Sequence, residues 1–553
     1  MAVNTSPEPF SNMIVSFAED LGVGGIVTFA MFHPEAAAIR DGLSVGADKV
    51  PGMAQVAVIG AGMGAMAAAA RLAVAGHRVA VYERGETYGG AVRRFERDGF
   101  SFDTGPGLFT LPAVYRDLFV KTGKQPLEDC VELVQVDPSS RHVFPDGTAV
   151  SLPNASRAGV VQALETALGA GAGDRWGSFL VRARDAWDRT RRPLLEEPLW
   201  DEWYVLGGRE PYPAVPHKRL LRTRRASTLA EVGAWELRDP RLAALLESHA
   251  LAFGLDPRDT PASAAVLPYM EHAFGTWYVR GGIRELARAV YERCLDRRVE
   301  FVFGAEVTGI VEKDGRAAGV VLADGTVTEA DHVVAGVDPV RLKGLTEHVL
   351  DEEGDVMSDT STPSPGTFTV LLALRGACEA GTAHRTVVHT PGREAELDWV
   401  SGAGPGPVPP TVTVLRPDDP AQLDWEHESV VLTAVAPPKG DWTADGSAEQ
   451  FAELMIDAAG TAVPGLRERV LWREIRTPGR SADETGAFLG GVPAPSLASG
   501  KGDFLHPANS TRLPGLYRVG GWSHPGGGLP HAGMSGALVA GLIVEGPDFM
   551  GSQ

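Results

Sequence analysis

Residues 55–84 read QVAVIGAGMGAMAAAARLAVAGHRVAVYER. Residues 55–59 are a short apolar run, the pattern of a buried parallel strand. Gly60, Gly62 and Ala65 then make a G-x-G-x-x-A turn, and Gly64 adds room. In such a turn the first glycine allows the tight bend. The second lets backbone approach a pyrophosphate, and the small third residue keeps the next helix close to the sheet. Residues 65–75 are rich in alanine, a strong helix former, and Gly76 is placed to end that helix. A second apolar run, 79–82, ends in Glu83, about twenty residues after the turn. A carboxylate there accepts the ribose hydroxyls of an adenosine. Phosphates rest on the amides and positive end of the helix. Strand, turn, helix, stop, strand and acid follow in order, which predicts a nucleotide site within one βαβ unit.

Just downstream stand Tyr88-Gly89-Gly90-Ala91-Val92-Arg93 and then Phe102-Asp103-Thr104-Gly105-Pro106. A glycine pair soon after the ribose-binding acid lets backbone lie along a larger cofactor. This arrangement resembles the extended FAD site of the amine-oxidase and carotenoid-desaturase flavoproteins. In that family an arginine directly follows the pair. Here Ala91 takes its place, and Arg93 or Arg94 is left to supply the charge.

The 553 residues suffice for a large core and two or more lobes. An apolar share of 44% with 22% charged residues is that of an ordinary soluble protein, and a net charge of −20 argues against a general nucleic-acid role. Cys130, Cys294 and Cys378 are scattered. They exclude the two-cysteine redox centre of the disulfide reductases and fit a reducing cytosol. No cysteine–histidine spacing suits a metal. Residues 21–32 are the longest apolar candidate, twelve residues where about twenty are needed to span a bilayer. No Lys or Arg precedes Arg40, so the basic start of a secretory leader is missing. A cytoplasmic protein able to rest on a membrane surface is expected.

Residues 1–52 have no place in the nucleotide fold. They read either as a small docking segment or, preferably, as leader upstream of a start at Met53. The cofactor domain is expected from 53–125, 270–345 and 495–553, and a substrate- and membrane-facing domain from 126–269 and 346–494. Phe100, Phe102, Leu108, Phe109 and Leu111 are expected to pack the flavin side of the core. Residues 131–136 and 142–152 read as strands, the second stretch bending at Pro145-Asp146-Gly147. Residues 155–260 read mostly helical. Within them Trp187, Trp200, Trp203, Tyr204 and Tyr212 lie among basic residues, ahead of KRLLRTRR at 218–225. That segment reads as an interfacial patch or, more plainly, as a solvated helix whose arginines pair with local acids. Residues 277–345 carry Gly281-Gly282 before a helix, strands at 301–303 and 307–310, a hairpin through Asp324-Gly325, and a strand at 332–335. Residues 341–490 show no catalytic constellation.

Residues 513–545, LPGLYRVGGWSHPGGGLPHAGMSGALVAGLIVE, give a strand, a glycine-rich turn and a helix of small residues from about Ala532. The dipole of such a helix stabilises negative charge on a reduced flavin. This signature is similar to that of bacterial-type phytoene desaturases and their carotenoid-oxidase and isomerase relatives. The opening unit, the FDTGP element and EHAFGTWYVRGGIRELARAV match the same family in the same order, over roughly residues 54–545. The fold so implied is α/β: an extended, glutathione-reductase-type Rossmann-like FAD domain with a discontinuous α+β substrate domain. The cofactor implied is non-covalent FAD. Its expected contacts are Gly60, Gly62, Gly64, Ala65, Glu83, Arg84, Gly89, Gly90, Arg93, the backbone of Val307, and Gly520, Gly521, Leu529 and Pro530.

The activity implied is dehydrogenation of a long apolar polyene, phytoene or a related carotenoid, by hydride transfer to flavin N5. The partners implied are a membrane surface and quinone or oxygen as electron acceptor. No acid–base set is evident, in keeping with a cofactor that carries the hard chemistry. His524 is the one catalytic candidate, weighed below a structural role in the turn, and His531 and Glu271 carry less. An amine or other small-molecule oxidase on the same scaffold, hinted at by Trp522, is the alternative, and a non-catalytic flavin-binding protein is a third.

Overall fold

The computed structural model describes residues 53–551 except 220–221, 347–362, 380, 405, 420–425, 439, 441 and 444–445. The two readings of residues 1–52 therefore lie outside the described residues. Val56, Ala57, Val58 and Ile59 are all buried because strand Gln55–Ile59 (β1) is the middle strand of a five-stranded parallel sheet. Helix Met63–Val74 (α1) and strand Arg78–Glu83 (β2) follow it. The other strands come from far along the chain: Glu300–Phe303 (β3), His332–Ala335 (β4) and Leu516–Arg518 (β5). The order is β3-β2-β1-β4-β5, with every neighbour parallel. That is the doubly wound order, and it puts the turn after β1 at the switch point where such sheets bind ligands.

Alternate residues of β1 face opposite layers. Val56 and Val58 join the core beneath α1, helix Arg284–Asp296 (α2) and helix Leu529–Val544 (α3). Ala57 and Ile59 join a core shared with the three-stranded antiparallel sheet Val307–Lys313, Arg316–Leu322 and Val327–Glu329. A helix layer, a parallel sheet and a small antiparallel sheet together make the expected extended Rossmann-like architecture.

The alanines of α1 have a second reason beyond helix propensity. The helix is buried on nearly every side, from Met63 to Ala70 and again at Leu72, because α3 lies across it. A Cβ built on Gly536 of α3 would stand 2.6 Å from the Gly64 carbonyl oxygen and 2.8 Å from Ala67 Cβ. One built on Gly64 would stand 2.8 Å from both the Ala532 oxygen and Gly520 Cα. Gly64 therefore serves a backbone-to-backbone contact between distant segments, and not room for the cofactor. Helix α3 also begins at Leu529, three residues before the expected start.

A second sheet of seven strands joins two distant parts of the chain. Its order is Val470–Arg476, Gly366–Arg375, His427–Ala436, Val412–Leu415, Arg385–Val388, Ser140–Val143 and Ala149–Leu152. All pairs are antiparallel except Arg385–Val388 with Ser140–Val143. Helix Ser447–Ala459 covers one face through Phe451 and Met455. Phe100 and Phe102 pack on Leu371, Ala373, Val431 and Trp472 of this sheet. These two phenylalanines therefore join the lobes and do not pack the flavin side as expected.

The helical layer is Arg157–Leu168, Ala172–Arg191, Pro240–Leu251 and Val266–Phe274. Tyr212 belongs to its core, with its hydroxyl 2.7 Å from Glu236, and Trp187 is buried as well. The basic run is a hairpin, His217–Arg219 paired with Arg222–Arg224, and not a helix. Arg222, Arg224 and Arg225 all stay exposed. Among the described residues no helix is long and apolar enough to cross a membrane.

Candidate functional site

The turn after β1 is built from backbone. Gly60 has φ +87°, and its amide donates to Tyr82 O at 2.8 Å. Gly62 caps α1 with no side-chain bond, and the first turn of that helix holds no acid, so its amides are open to an anion. A Cβ on Gly62 would meet nothing within 4 Å. Glu83, at the end of β2, is buried, and its carboxylate accepts from the amides of Ala61 and Gly85, both at 2.8 Å. Each oxygen keeps a lone pair for a further donor. Ala305 donates to Glu83 O at 2.9 Å, which brings the chain leading into Val307 beside the same carboxylate.

The glycine pair folds back on this turn. Gly89 donates to Ala61 O at 2.7 Å, and a Cβ on Gly90 would stand 3.0 Å from Gly62 Cα. Gly89 is glycine for a different reason. Arg284 reaches in from α2, lies 4.0 Å over the Tyr88 ring, and donates to the carbonyls of Tyr88 and Val92. A Cβ on Gly89 would stand 2.4 Å from that guanidinium. One cation beside the pair is thus Arg284, supplied from nearly two hundred positions away, which sequence spacing gave no means to find. Arg93 stays beside the pair, donating to Gly90 O at 2.9 Å and Glu484 O at 2.8 Å. Arg94 turns away to Gly281 O and Glu285. Arg84 also leaves the turn and donates to Asp483 O at 2.6 Å, at the end of helix Pro478–Thr485.

The C-terminal turn completes the cradle. Gly520 has φ +100° and open space where a Cβ would lie. Its amide donates to Ser535 Oγ at 3.0 Å. Buried Asn509 donates to Ser535 Oγ at 3.1 Å and to His524 O at 2.8 Å, so two polar residues outside the glycine pattern hold the turn in shape. Gly521 packs on Pro493, whose Cγ a Cβ would approach to 2.8 Å. Tyr115 donates to Leu529 O at 2.9 Å and fixes the start of α3.

Beyond that start lies a cavity of about 340 Å³. Gly528, which caps α3, and Pro530 and His531 of α3 face it, and Leu108, Phe109, Leu251, Phe253, Leu267 and Met270 give it an apolar wall. Leu108 and Phe109 thus line the cavity, and Phe109 at the same time packs in the core beneath α1 and α2, as expected. One side is polar: His142, His249, Glu271 and Arg385 also line it. Glu271 is paired with Arg385 and lies 3.8 Å from His249. Burial pushes its carboxyl up, but Arg385 and then His249 outweigh burial and hold it below its usual range. Behind them Ser140, His142 and His389 form a chain with 3.0 Å links.

His524 is not in this cavity. It is fully buried, and its Nε2 bonds Glu197 O at 2.9 Å. It is a structural tie between the turn and the helical layer. His531, given less weight from sequence, is the histidine that faces the cavity, and its Nδ1 has no partner. Burial pushes its imidazole down to about 4. Trp522 is half-buried and does not line the cavity.

A family model described as flavin containing amine oxidoreductase matches residues 66–544. A second, described as a domain of unknown function, matches residues 1–47. The 4,4'-diapolycopene oxygenase of Methylomonas sp is 28% identical over 501 residues, covering 89% of this chain and 98% of its own. The hydroxyneurosporene desaturase of Rhodobacter capsulatus is 30% identical over 499 residues, covering 88% of this chain and 96% of its own. Among solved structures, an oxidoreductase from Methanosarcina mazei superposes with a TM-score of 0.61 at 18% identity, over 88% of this chain and 99% of that one.

The cofactor is FAD, and the residues present fit it. Gly62 and Gly520 leave open space beside backbone, the α1 amides are uncapped, and Glu83 has lone pairs to spare. Gly62→Val fills that space at a φ of −72°, which valine tolerates. The variant is expected to fold and to bind FAD about tenfold more weakly or worse. Flavin content by absorbance checks this, and full retention would contradict the cradle. His531 binds its proton more weakly folded than unfolded, so it stays neutral down to about 4. The stability it contributes is lost as pH falls from 6.5 through about 4. Its ring, followed by NMR and assigned with His531→Asn, is expected to titrate near 4. A midpoint near 6.5 would contradict its burial.

Proposed function

The chain belongs to the flavin-containing amine oxidoreductase family, and on that premise we propose that it dehydrogenates a long apolar polyene, phytoene or a related carotenoid. The observation that carries this is the apolar wall from Leu108 to Met270, which reaches the start of α3. A hydrocarbon offers no polar handle, so binding comes from buried area at roughly 25 cal/mol per Å². The cavity is near the lower end for ligand pockets and suits one section of a long chain entering end-on. Relatives named 4,4'-diapolycopene oxygenase and hydroxyneurosporene desaturase support the substrate class.

Bound FAD supplies the two-electron acceptance. The protein's part is to hold the polyene against it and to exclude water. The N-terminal dipole of α3 stabilises negative charge that gathers at that end of the cavity. One dinucleotide fingerprint is legible, so quinone or oxygen is the acceptor in this reading. Delivery is from a membrane surface. Tyr204 (62% exposed), Val205 (55%) and the exposed arginines of 222–225 are the residues that would meet it.

Anaerobic enzyme mixed with liposome-borne phytoene is expected to lose its oxidised-flavin absorbance and to yield a more conjugated product on chromatography. Bleaching by amines but not by polyenes would replace this reading with an amine oxidase. No bleaching by either would leave a flavin-binding protein without turnover.

A further inference from the structure

His531 stands in the first turn of α3, and its two ring nitrogens have different surroundings. Nδ1 is turned back to the helix cap, where a Cβ built on Gly528 would stand 3.3 Å from it. It is fully enclosed and bonds nothing. Nε2, the outer nitrogen, bonds nothing among the described residues either, but it is not enclosed, and the ring it belongs to lines the cavity. Burial keeps the ring neutral. With its proton on Nδ1, the ring presents a free lone pair at Nε2. The other polar groups are engaged: Tyr115 Oη by Leu529 O, His524 Nε2 by Glu197 O, and Glu271 by Arg385. His531 Nε2 is therefore a free acceptor on the helix whose start closes the flavin cradle.

We propose that His531 Nε2 takes the proton that a polyene loses when it is dehydrogenated. The assignment rests on the polyene reading above and adds to it the group that completes the reaction. One C–H bond breaks with its electron pair leaving as hydride to bound FAD, and the polyene is oxidised to an allylic cation. The C–H bond on the next carbon then breaks. Its electron pair becomes the new C=C bond, and its proton forms an N–H bond at Nε2. Such a cation is a far stronger acid than an imidazolium, so a base weakened by burial suffices. The same burial leaves the ring unprotonated and ready at neutral pH. An imidazolium alone in an apolar cavity is costly. Here it forms beside the negative charge just delivered as hydride, so the two offset each other. Quinone or oxygen then takes up that hydride equivalent and this proton as hydroquinone or hydrogen peroxide, and the ring returns to neutral.

The test compares the flavin-loaded wild type with His531→Gln on phytoene in liposomes. Glutamine fills similar space and keeps a polar amide but has no basic nitrogen. Both proteins are expected to hold FAD equally, by absorbance. In His531→Gln, kcat for the conjugated product is expected to fall about 100-fold, with KM little changed. His531→Glu restores a base where a helix start favours a carboxylate, and it is expected to regain about tenfold of that loss. Product geometry is a second readout. A cation that waits for a base has weakened double bonds that rotate, so His531→Gln is expected to give a mixture of geometric isomers where the wild type gives one. His531→Gln within about threefold of the wild-type kcat would overturn the proposal and leave the polyene reading standing. So would His531→Glu no faster than His531→Gln, or a single unchanged isomer from His531→Gln. No product from the wild type would overturn the polyene reading and this proposal with it. If His531→Gln fails to hold FAD, the smaller His531→Asn, read in the same way, decides the matter.

Discussion

The structure depends on backbone touching backbone. The Gly64 carbonyl meets Gly536, and Gly64 itself faces Ala532 and Gly520, at distances that admit no side chain. These contacts bind the first helix of the parallel sheet to the last helix of the chain. They also hold the turn after β1 against the turn after β5, where the sheet order switches direction. Gly90 against Gly62 adds a third segment to the same junction. A larger residue at any of these points would force apart elements that are packed like a crystal interior. The site is the space these close approaches leave open, at Gly62 and Gly520.

Charge is placed around that space with some economy. Among the described residues, Glu83 is the carboxylate at the turn, and it is tied by two amides in an orientation that leaves its outer lone pairs free. The positive charges nearby are fastened to carbonyls: Arg284 to Tyr88 and Val92, Arg93 to Gly90, Arg84 to Asp483. Arg84 through Asp483 and Arg93 through Glu484 also tie this turn to helix Pro478–Thr485, which follows the edge strand of the second sheet. At the other end the helix start at Leu529 and neutral His531 face the cavity, while His524 is spent on a structural bond to Glu197.

Much of this was legible in the sequence. The turn at 60–65, Glu83, the glycine pair and the final helix each combine a strand, a glycine and a helix within a few residues, and local spacing suffices to read them. What failed to show was decided by distant partners. Gly64 and Gly89 looked like room for a ligand, but their neighbours are α3 and Arg284. Phe100 and Phe102 alternate like core residues of the nearest sheet, yet they pack on Leu371, Ala373, Val431 and Trp472 of a sheet made much later in the chain. The basic run at 218–225 forms a hairpin, His217–Arg219 with Arg222–Arg224, and not the solvated helix its composition suggested. Glu271, Arg385 and His249 lie on three separate elements, and no spacing rule unites them. Tyr212 and Trp187 stand in the segment read as an interfacial patch or a solvated helix, but Tyr212 packs in the helical core and Trp187 packs against Met270 and Met534.

The central claim is that widely separated segments converge on one non-covalent FAD. The most direct measurement is the visible absorption spectrum of the purified full-length chain, before and after acid precipitation. The account predicts a yellow protein with one FAD per chain, all of it released into the supernatant. A folded chain that stays colourless when supplied with FAD, or flavin that remains with the precipitate, would contradict it.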